Sequence, residues 1–348
     1  MGMETAGRTQ LAELWQRGKD FLGVEHAILG GAMSWVSERN LVAAISNAGG
    51  FGVIACGSMT PDLLDNEITA TRVLTNKPFA VNLITMHPMI SDLIDTCLRH
   101  SISHVVLAGG IPAAADIKRL KDGGVKVICF APALILAKKL IRSGADAIVV
   151  EGSEAGGHIG PVSTSVLAQE ILPFIKDVPV FVAGGIGRGE VMVSYLEMGA
   201  SGVQLGTLFV CATESVAHEN FKKAFIRGNS RDAITSVQLD PRFPVIPVRA
   251  LKNKASESFL AAQRSVIAKH QAGHVDMKEA QLEIEHYWAG ALRRAVIDGD
   301  VEEGSLMAGQ IVGLVKAEQS TQEIIDGLLR QASDYLSVNE CDIKMMDS

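Results

Sequence analysis

The chain has 348 residues, of which 47% are apolar and 20% are charged, and its formal net charge is −7. This composition excludes a disordered, collagenous or disulfide-stapled protein, and the length allows two domains or one α/β barrel with additions. An acidic balance without a long run of like charges argues against binding to nucleic acid or to a membrane surface. A small-molecule substrate is therefore the expected partner.

Between residues 26 and 210, short apolar runs ending in Gly, Ala or Asn alternate with longer amphipathic segments. This alternation is typical of βαβ units and a parallel sheet. Eight runs are the number that closes a (β/α)8 barrel, the TIM barrel of the α/β class. The predicted strands are 26–29, 52–55, 79–83, 104–107, 125–130, 147–150, 178–182 and 202–205.

Amphipathic segments between the strands predict helices at 41–47, 61–74, 89–99, 113–122, 133–143, 164–175 and 189–198. After Thr207 the patterns become mainly helical, with long helices expected at 256–270, 277–297 and 321–336. Prolines between residues 240 and 248 predict an extended connection there. We expect a barrel over 1–212, a mainly helical lid inserted after strand 8 over 213–318, and over 319–348 a helix that returns to the barrel and ends in a loose tail from residue 337.

The five cysteines are dispersed, without a Cys–X–X–Cys pair or a zinc-finger spacing to histidine, so neither disulfides nor a metal site is expected. No apolar run reaches the roughly 20 residues that cross a bilayer, and residues 10–21 are too charged for a signal peptide. These features predict a cytoplasmic protein. The sequence leaves the oligomeric state open, a homodimer included.

Two glycine-rich loops follow the seventh and eighth predicted strands, at residues 183–187 and 204–207. Loops at these positions of a TIM barrel commonly hold a phosphate, because glycine lets backbone N–H groups approach the oxygens closely. The hydroxyl of Thr207 offers a further donor. The alternative is that both loops are only tight turns between strand and helix.

The loop after the sixth strand, residues 151–160, carries Glu151, Glu154, four glycines and His158 at the expected catalytic rim. A lone histidine is most often structural, but the flanking glycines leave room for a flat ring, and imidazole suits proton transfer near neutral pH. The two glutamates are candidates for acid–base catalysis or for binding sugar hydroxyls. The alternative for the glutamates is a pair exposed to solvent.

Two further candidates follow the first and third strands. Residues 30–35 form a Gly-Gly-Ala-Met-Ser-Trp segment containing Met33, and Asn82 ends the third strand. An asparagine amide can both donate and accept hydrogen bonds at the edge of a ring. An asparagine that merely terminates a strand is an equally good interpretation.

Several of these segments resemble those of the nitronate monooxygenase (2-nitropropane dioxygenase-like) family, which includes the FMN-dependent enoyl-ACP reductases II. The segments are Ser-Asn-Ala-Gly-Gly at 46–50, Lys-Pro-Phe at 77–79, Glu-Ala-Gly-Gly-His at 154–158, Ala-Gly-Gly-Ile at 183–186, Gly-Val-Gln-Leu-Gly-Thr at 202–207 and Gly-Ser-Leu-Met-Ala-Gly-Gln at 304–310. The resemblance covers the barrel and continues into the region after it.

The resemblance implies that FMN binds at the carboxyl face of the barrel and that a helical region covers it. It places His158 towards the substrate and implies that residues 305–310 close over the flavin. It implies that the ring, sugar chain and phosphate of FMN are bound by the following residues: Met33, Asn82, Glu151, Gly156, Gly184, Gly185, Gln204, Gly206 and Thr207.

Within the family, two reactions fit this sequence. A nitronate monooxygenase oxidises an alkyl nitronate with O₂ to a carbonyl compound and nitrite, whereas an enoyl-ACP reductase uses NAD(P)H as a co-substrate. An acidic acyl carrier protein needs a basic docking patch. Because the best candidate patch, Arg249, Lys252 and Lys254, is small, and because the family is named for the monooxygenase, we favour the monooxygenase. A phosphate-binding barrel without flavin is a further alternative.

Overall fold

The computed structural model describes residues 2–240 and 247–346 of the chain, and it contains eleven strands within those residues. In chain order they are β1 Ile28–Gly30, β2 Gly52–Ala55, β3 Phe79–Ile84, β4 His104–Ala108, β5 Lys126–Phe130, β6 Ala147–Glu151, β7 Gly157–His158, β8 Val180–Ala183, β9 Gly202–Leu205, β10 Ala233–Thr235 and β11 Val248–Leu251.

Eight of these strands form one parallel sheet in the order β1-β9-β8-β6-β5-β4-β3-β2. The sheet closes on itself, since Gly30 N–H donates to the carbonyl of Phe51 at 2.9 Å and Phe51 N–H donates to Ile28 at 2.8 Å. The strands are buried almost throughout, as expected when side chains fill the barrel and helices cover it. The predicted (β/α)8 barrel is confirmed.

Helices surround the barrel, and further helices precede β1 and follow β9 in the chain. Most barrel helices agree with the predicted segments to within a few residues, as at Pro61–Leu74, where Thr60 caps the N-terminus through its hydroxyl. The helices are α1 Gly2–Leu14, α2 Gln16–Leu22, α3 Arg39–Asn47, α4 Pro61–Leu74, α5 Ile90–Arg99, α6 Ala114–Asp122, α7 Leu134–Arg142, α8 Thr164–Ile171, α9 Gly189–Glu197, α10 Thr207–Val210, α11 Glu219–Arg227, α12 Lys254–Gln271, α13 Met277–Val296 and α14 Thr321–Met346.

Helices α1 and α2 precede the first strand and were not predicted from the sequence. Helix α2 ends beside the amino ends of the strands, where the carbonyl of Phe21 accepts hydrogen bonds from Lys126 Nζ (2.6 Å) and His104 Nε2 (3.0 Å). The ring of Phe21 also meets His104 edge-on, with centroids 5.2 Å apart. These contacts fix the amino-terminal helices against the end of the barrel that lies opposite the candidate site.

His104 should make the fold sensitive to acid. Burial lowers the pKa of its imidazole from 6.5 to about 4. The unfolded chain takes up a proton below pH 6.5 and the folded chain only below about pH 4, so stability is complete above pH 6.5 and falls by about 3 kcal/mol as the pH drops to 4. Urea unfolding at pH 7 and pH 4.5 should show this loss in the wild type and a smaller one in His104→Gln. An equal loss in both proteins would contradict the assignment.

The region after β9 contains helices, as expected, but also a small antiparallel sheet that the sequence analysis missed. Its strand order is β10-β11-β7, so the loop after β6 joins this sheet through Gly157 and His158. Helices α12 and α13 pack around a second apolar cluster that includes Phe259, Ile284 and Trp288. We call this sheet and helix pair the lid. Residues 241–246 of the predicted extended connection lie outside the described residues.

The last helix corrects the expectation of a loose tail from residue 337. Helix α14 continues to Met346, and residues 347–348 lie outside the described part of the chain. The helix continues because it packs on α1 so closely that a Cβ added at Gly7 would lie 2.2 Å from the carbonyl oxygen of Ser333. Leu336 and Ser337 are buried.

In the described residues, no helix has the length and apolar character needed to cross a membrane.

Candidate active site

The polar candidates at the strand ends lie at the carboxyl mouth of the barrel. The residues pair in register across β6, β8 and β9, with Glu151 beside Ala183 and Ala183 beside Gln204. Strand β3 lies across the barrel from β8, so Asn82 faces this group from the opposite wall. Asn82 is buried, and its Nδ2 donates to the carbonyl of Val106 at 3.2 Å, which fixes the orientation of the amide.

Glu151 and Gln204 have no side-chain hydrogen bond to any residue that the structure describes. Burial raises the pKa of the Glu151 carboxyl to about 8, with no cation nearby to oppose the shift. Buried polar groups are normally hydrogen-bonded. The half-buried Glu151 and the buried Gln204, on two strands separated by β8, therefore form a site suited to a polar ligand, with a carboxyl that is protonated at neutral pH.

The loop after β8 bends sharply at two consecutive glycines. Gly184 and Gly185 have φ values of +87° and +73°, which are unfavourable for residues with a Cβ. Within the described residues, the N–H groups of Gly184, Gly185 and Gly206 donate no backbone hydrogen bond. These N–H groups are available to an anion, as the phosphate interpretation requires.

Thr207 begins the short helix α10 next to Gly206. Its Oγ1 accepts a hydrogen bond from Gly309 N–H at 2.9 Å, so the hydroxyl hydrogen is left to donate elsewhere. The loop after β1 also reaches this point, because Gly31 N–H donates to Leu205 at 2.7 Å. Met33 Sδ lies 3.6 Å from the position of a Cβ added at Gly206. Met33, Gly206 and Thr207 are thus brought together.

Glu154 has a role different from both roles considered in the sequence analysis. Its carboxylate accepts hydrogen bonds from the N–H and the hydroxyl of Thr164, at 2.9 and 3.0 Å, at the start of α8. A carboxylate at a helix N-terminus satisfies a backbone donor and interacts favourably with the helix dipole. Glu154 therefore anchors the loop after β6 and is neither a solvated residue nor an unengaged acid or base.

Gly156 lies beneath the segment 305–310. A Cβ added at Gly156 would lie 2.6 Å from both Ala308 C and Gly309 N. Gln310 N–H donates to the carbonyl of Glu154 at 2.9 Å, and Leu251 N–H donates to Leu306 at 2.9 Å. Segment 305–310 therefore contacts the loop after β6, Thr207 and the lid. It lies next to the polar groups of the mouth.

We expect Gly156→Ala to displace segment 305–310, because the backbone atoms it would meet must move. Overpacking of this kind costs about 1–3 kcal/mol. Thermal unfolding should show a lower Tm, and limited proteolysis should show faster cleavage within 305–310. Gly160→Ala is the matched control, since a Cβ there has no atom within 4 Å. Equal behaviour of the two variants would contradict this role for Gly156.

His158 lies in β7, where its backbone pairs with Val248 of β11. Its side chain is exposed, whereas the strand-end candidates lie deeper in the mouth. The sequence correctly placed His158 on the loop after β6 but could not show that this loop forms a strand of the lid.

The basic patch considered for an acyl carrier protein does not exist as a surface. Arg249 is 8% exposed, and its guanidinium donates to the carbonyls of Ser153 (2.9 Å) and Ala233 (2.5 Å). Only Lys252 and Lys254 remain exposed. Arg249 ties the lid to the loop after β6.

Sequence reasoning missed Trp35, which lies on the loop after β1. It adopts a φ of +67°, and its buried Nε1 has no hydrogen-bond partner in the described residues. Arg293 of α13 lies 5.8 Å from its ring centroid, so the lid reaches this loop as well. No sequence signal marks a tryptophan with positive φ, because that conformation is rare for non-glycine residues and depends on tertiary contacts.

Comparison with known proteins assigns this (β/α)8 barrel to a class of oxidoreductases. The nitronate monooxygenase family profile matches residues 16–107 and 92–331. The chain belongs to that family.

Three proteins illustrate the range of its relatives. FabK from Thermotoga maritima is 35% identical with a TM-score of 0.81, over 93% of this chain and 98% of that chain. A nitroalkane oxidase from Streptomyces ansochromogenes is 25% identical with a TM-score of 0.74, over 90% and 98%. The (3aS,4S,5R,7aS)-5-hydroxy-7a-methyl-1-oxo-octahydro-1H-indene-4-carboxyl-CoA dehydrogenase of Rhodococcus jostii (strain RHA1) is 32% identical over 346 residues, covering 93% of this chain and 96% of that protein.

Proposed function

We propose that the protein is an FMN-dependent oxidoreductase that acts on an acyl thioester of coenzyme A. The observation that carries this choice is Glu151, a carboxyl without a partner among the described residues and with a pKa raised to about 8. Hydride transfer to or from carbon requires a matching proton, which a neutral carboxyl can hold or release. Oxidation of a nitronate starts from an anion and needs no such proton donor.

The relatives support the same choice. The Rhodococcus relative is named as a dehydrogenase of a carboxyl-CoA substrate, and the nitroalkane oxidase is less similar to this chain. The sequence-based preference for the monooxygenase depended on the small size of the docking patch for a carrier protein and on the name of the family. A coenzyme A thioester needs no protein docking surface, so the burial of Arg249 does not count against it.

The residues of the mouth fit FMN. The N–H groups of Gly184, Gly185 and Gly206 and the hydroxyl of Thr207 would hold the phosphate, since none of these hydrogens donates to a described residue. Gln204 and Asn82 would hydrogen-bond the ring from opposite walls of the mouth, and Met33 would pack against it. Gly156 would admit segment 305–310 over the cofactor.

When bound, FMN would supply the hydride acceptor or donor. Glu151 would hold the proton at its carboxyl within the mouth, and His158 would orient the substrate carbonyl from the edge of the lid. The lid and segment 305–310 would exclude water from the reacting groups.

Nitronate oxidation is the second candidate, favoured by the family description and by the nitroalkane oxidase neighbour. In that reaction O₂ is the co-substrate, and His158 would deprotonate a neutral nitroalkane or orient the nitronate.

Anaerobic mixing of the purified yellow protein separates these functions. We expect NADH to bleach the flavin spectrum and crotonyl-CoA to restore it. Flavin reduction by propyl nitronate, with nitrite release in air and no reaction with the thioester, would overturn the proposal in favour of the second candidate. A colourless protein that FMN cannot reconstitute would favour the flavin-free phosphate-binding barrel.

A further inference from the structure

The loops after β3 and β4 expose three large apolar side chains on one wall of the barrel mouth. Met86 is 59% exposed, Met89 36% and Ile111 60%. Single exposed apolar residues are ordinary, but a contiguous group at a cleft usually marks a binding surface. We call these three residues the apolar shelf.

The shelf is continuous across the two loops. Thr85 N–H donates to the carbonyl of Ala108 at 2.8 Å, which joins the loop after β3 to the loop after β4. A Cβ added at Gly110 would lie 3.9 Å from Met86 Cγ, and Ile111 follows Gly110 directly. Met86 therefore lies beside the backbone of the loop after β4, and the two loops form one surface.

The loop that carries both methionines is held in a defined shape. His87 N–H donates to Ile84 at 2.9 Å, and the Nδ1 of His87 accepts from Met89 N–H at 3.1 Å. A preformed surface loses less conformational entropy when a ligand binds. Methionine side chains on such a surface can adapt to apolar groups of different shapes.

The location of the shelf indicates where a substrate would contact it. Strands β3 and β4 lie across the barrel from β8 and β9, which carry the glycine loops. The lid reaches the mouth at the loops after β6 and β1 and leaves the shelf exposed. A substrate entering beside the lid would thus meet the shelf on its way to the polar groups of the mouth.

We propose that the apolar shelf binds the acyl portion of the thioester substrate and selects for large apolar acyl groups. This inference rests on the proposed function, which gives the substrate an acyl group attached to coenzyme A. All three shelf side chains are apolar and offer no hydrogen-bond donor, which suits an apolar acyl group better than the charged phosphates of coenzyme A.

The test is isothermal titration of the FMN-loaded protein with coenzyme A, butyryl-CoA, octanoyl-CoA and dodecanoyl-CoA. We expect the wild-type Kd to fall by up to about fourfold for each methylene that the shelf buries. Met86→Gln/Ile111→Gln should flatten this dependence and leave the Kd of coenzyme A unchanged. Val73→Gln is the control, because Val73 is 82% exposed on α4 and lies outside the shelf.

The outcomes separate the inference from the function on which it depends. One result is that the Kd shows the same chain-length dependence in the wild type and in the double variant. That result would overturn the inference that the shelf binds the acyl group, and it would leave the proposed function standing. Failure of every thioester and of coenzyme A to bind would overturn both. If the double variant instead converts a wild-type dimer to a monomer by size-exclusion chromatography, with the dependence unchanged, the shelf is a subunit contact and the inference is wrong.

Discussion

His158→Ala is expected to retain FMN and to lose turnover by about 100- to 1,000-fold, the usual effect of removing a hydrogen-bond donor directed at a reacting carbonyl. The fold should survive, because β7 pairs with β11 through the backbone of His158 and its side chain is exposed. The flavin content should survive because the glycine N–H groups lie on the loops after β8 and β9 and Gln204 lies in β9, none of them in β7. Visible absorbance measures the FMN that the variant retains, and steady-state rates measure its turnover.

His274→Ala provides the control, since His274 is exposed at the turn between α12 and α13. Its rates should match the wild type. His158→Gln, which keeps a hydrogen-bond donor but cannot exchange a proton, separates orientation of the substrate from proton transfer. Full activity in His158→Ala would refute any role for His158 in turnover.

Glu151→Gln is expected to remove a pH dependence from FMN binding. With its pKa at about 8, the Glu151 carboxyl is neutral below that pH and becomes a buried anion above it. An anion facing FMN, with its negatively charged phosphate, weakens binding. The wild-type Kd should therefore rise by up to tenfold per pH unit above pH 8, whereas the glutamine variant, a permanent hydrogen-bond donor, should show no rise.

Flavin fluorescence quenching between pH 6.5 and 9.5 measures both profiles. Glu197→Gln, which changes an exposed carboxyl on α9, should behave as the wild type. A flat wild-type profile would show that the Glu151 carboxyl does not titrate in this range or does not face the cofactor. A rise retained in Glu151→Gln would assign the titration to another group.

The barrel could be predicted because its strands carry strong local signals. Residues 52–55 and 202–205 each begin with glycine and are otherwise apolar except for Gln204, and the structure has strands with those bounds. Burial on both faces of a parallel strand removes polar alternation, so such runs stand out between amphipathic helices. Asn82, Glu151 and Gln204 could be proposed as site candidates for the same reason, since each lies at or near the end of such a run.

The lid sheet could not be predicted because its strands have only two to four residues and no measurable periodicity. Arg249 illustrates the same limit. An arginine followed within five residues by two lysines suggests an exposed cation, but this one is buried because two backbone carbonyls accept its hydrogen bonds. Glu154 was a candidate for chemistry until the structure placed Thr164, ten residues later, at its carboxylate. Such pairings depend on tertiary contacts that no local pattern records.

Segment 305–310 also has a consequence for how the protein is made. The barrel strands end at Leu205, so the ribosome must add about 100 further residues before Gly309 can meet Thr207 and Gly156. A nascent chain can therefore complete its barrel while the mouth is still open to solvent. Cofactor loading during that interval would need no opening of the finished enzyme, whereas loading afterwards would require segment 305–310 to detach.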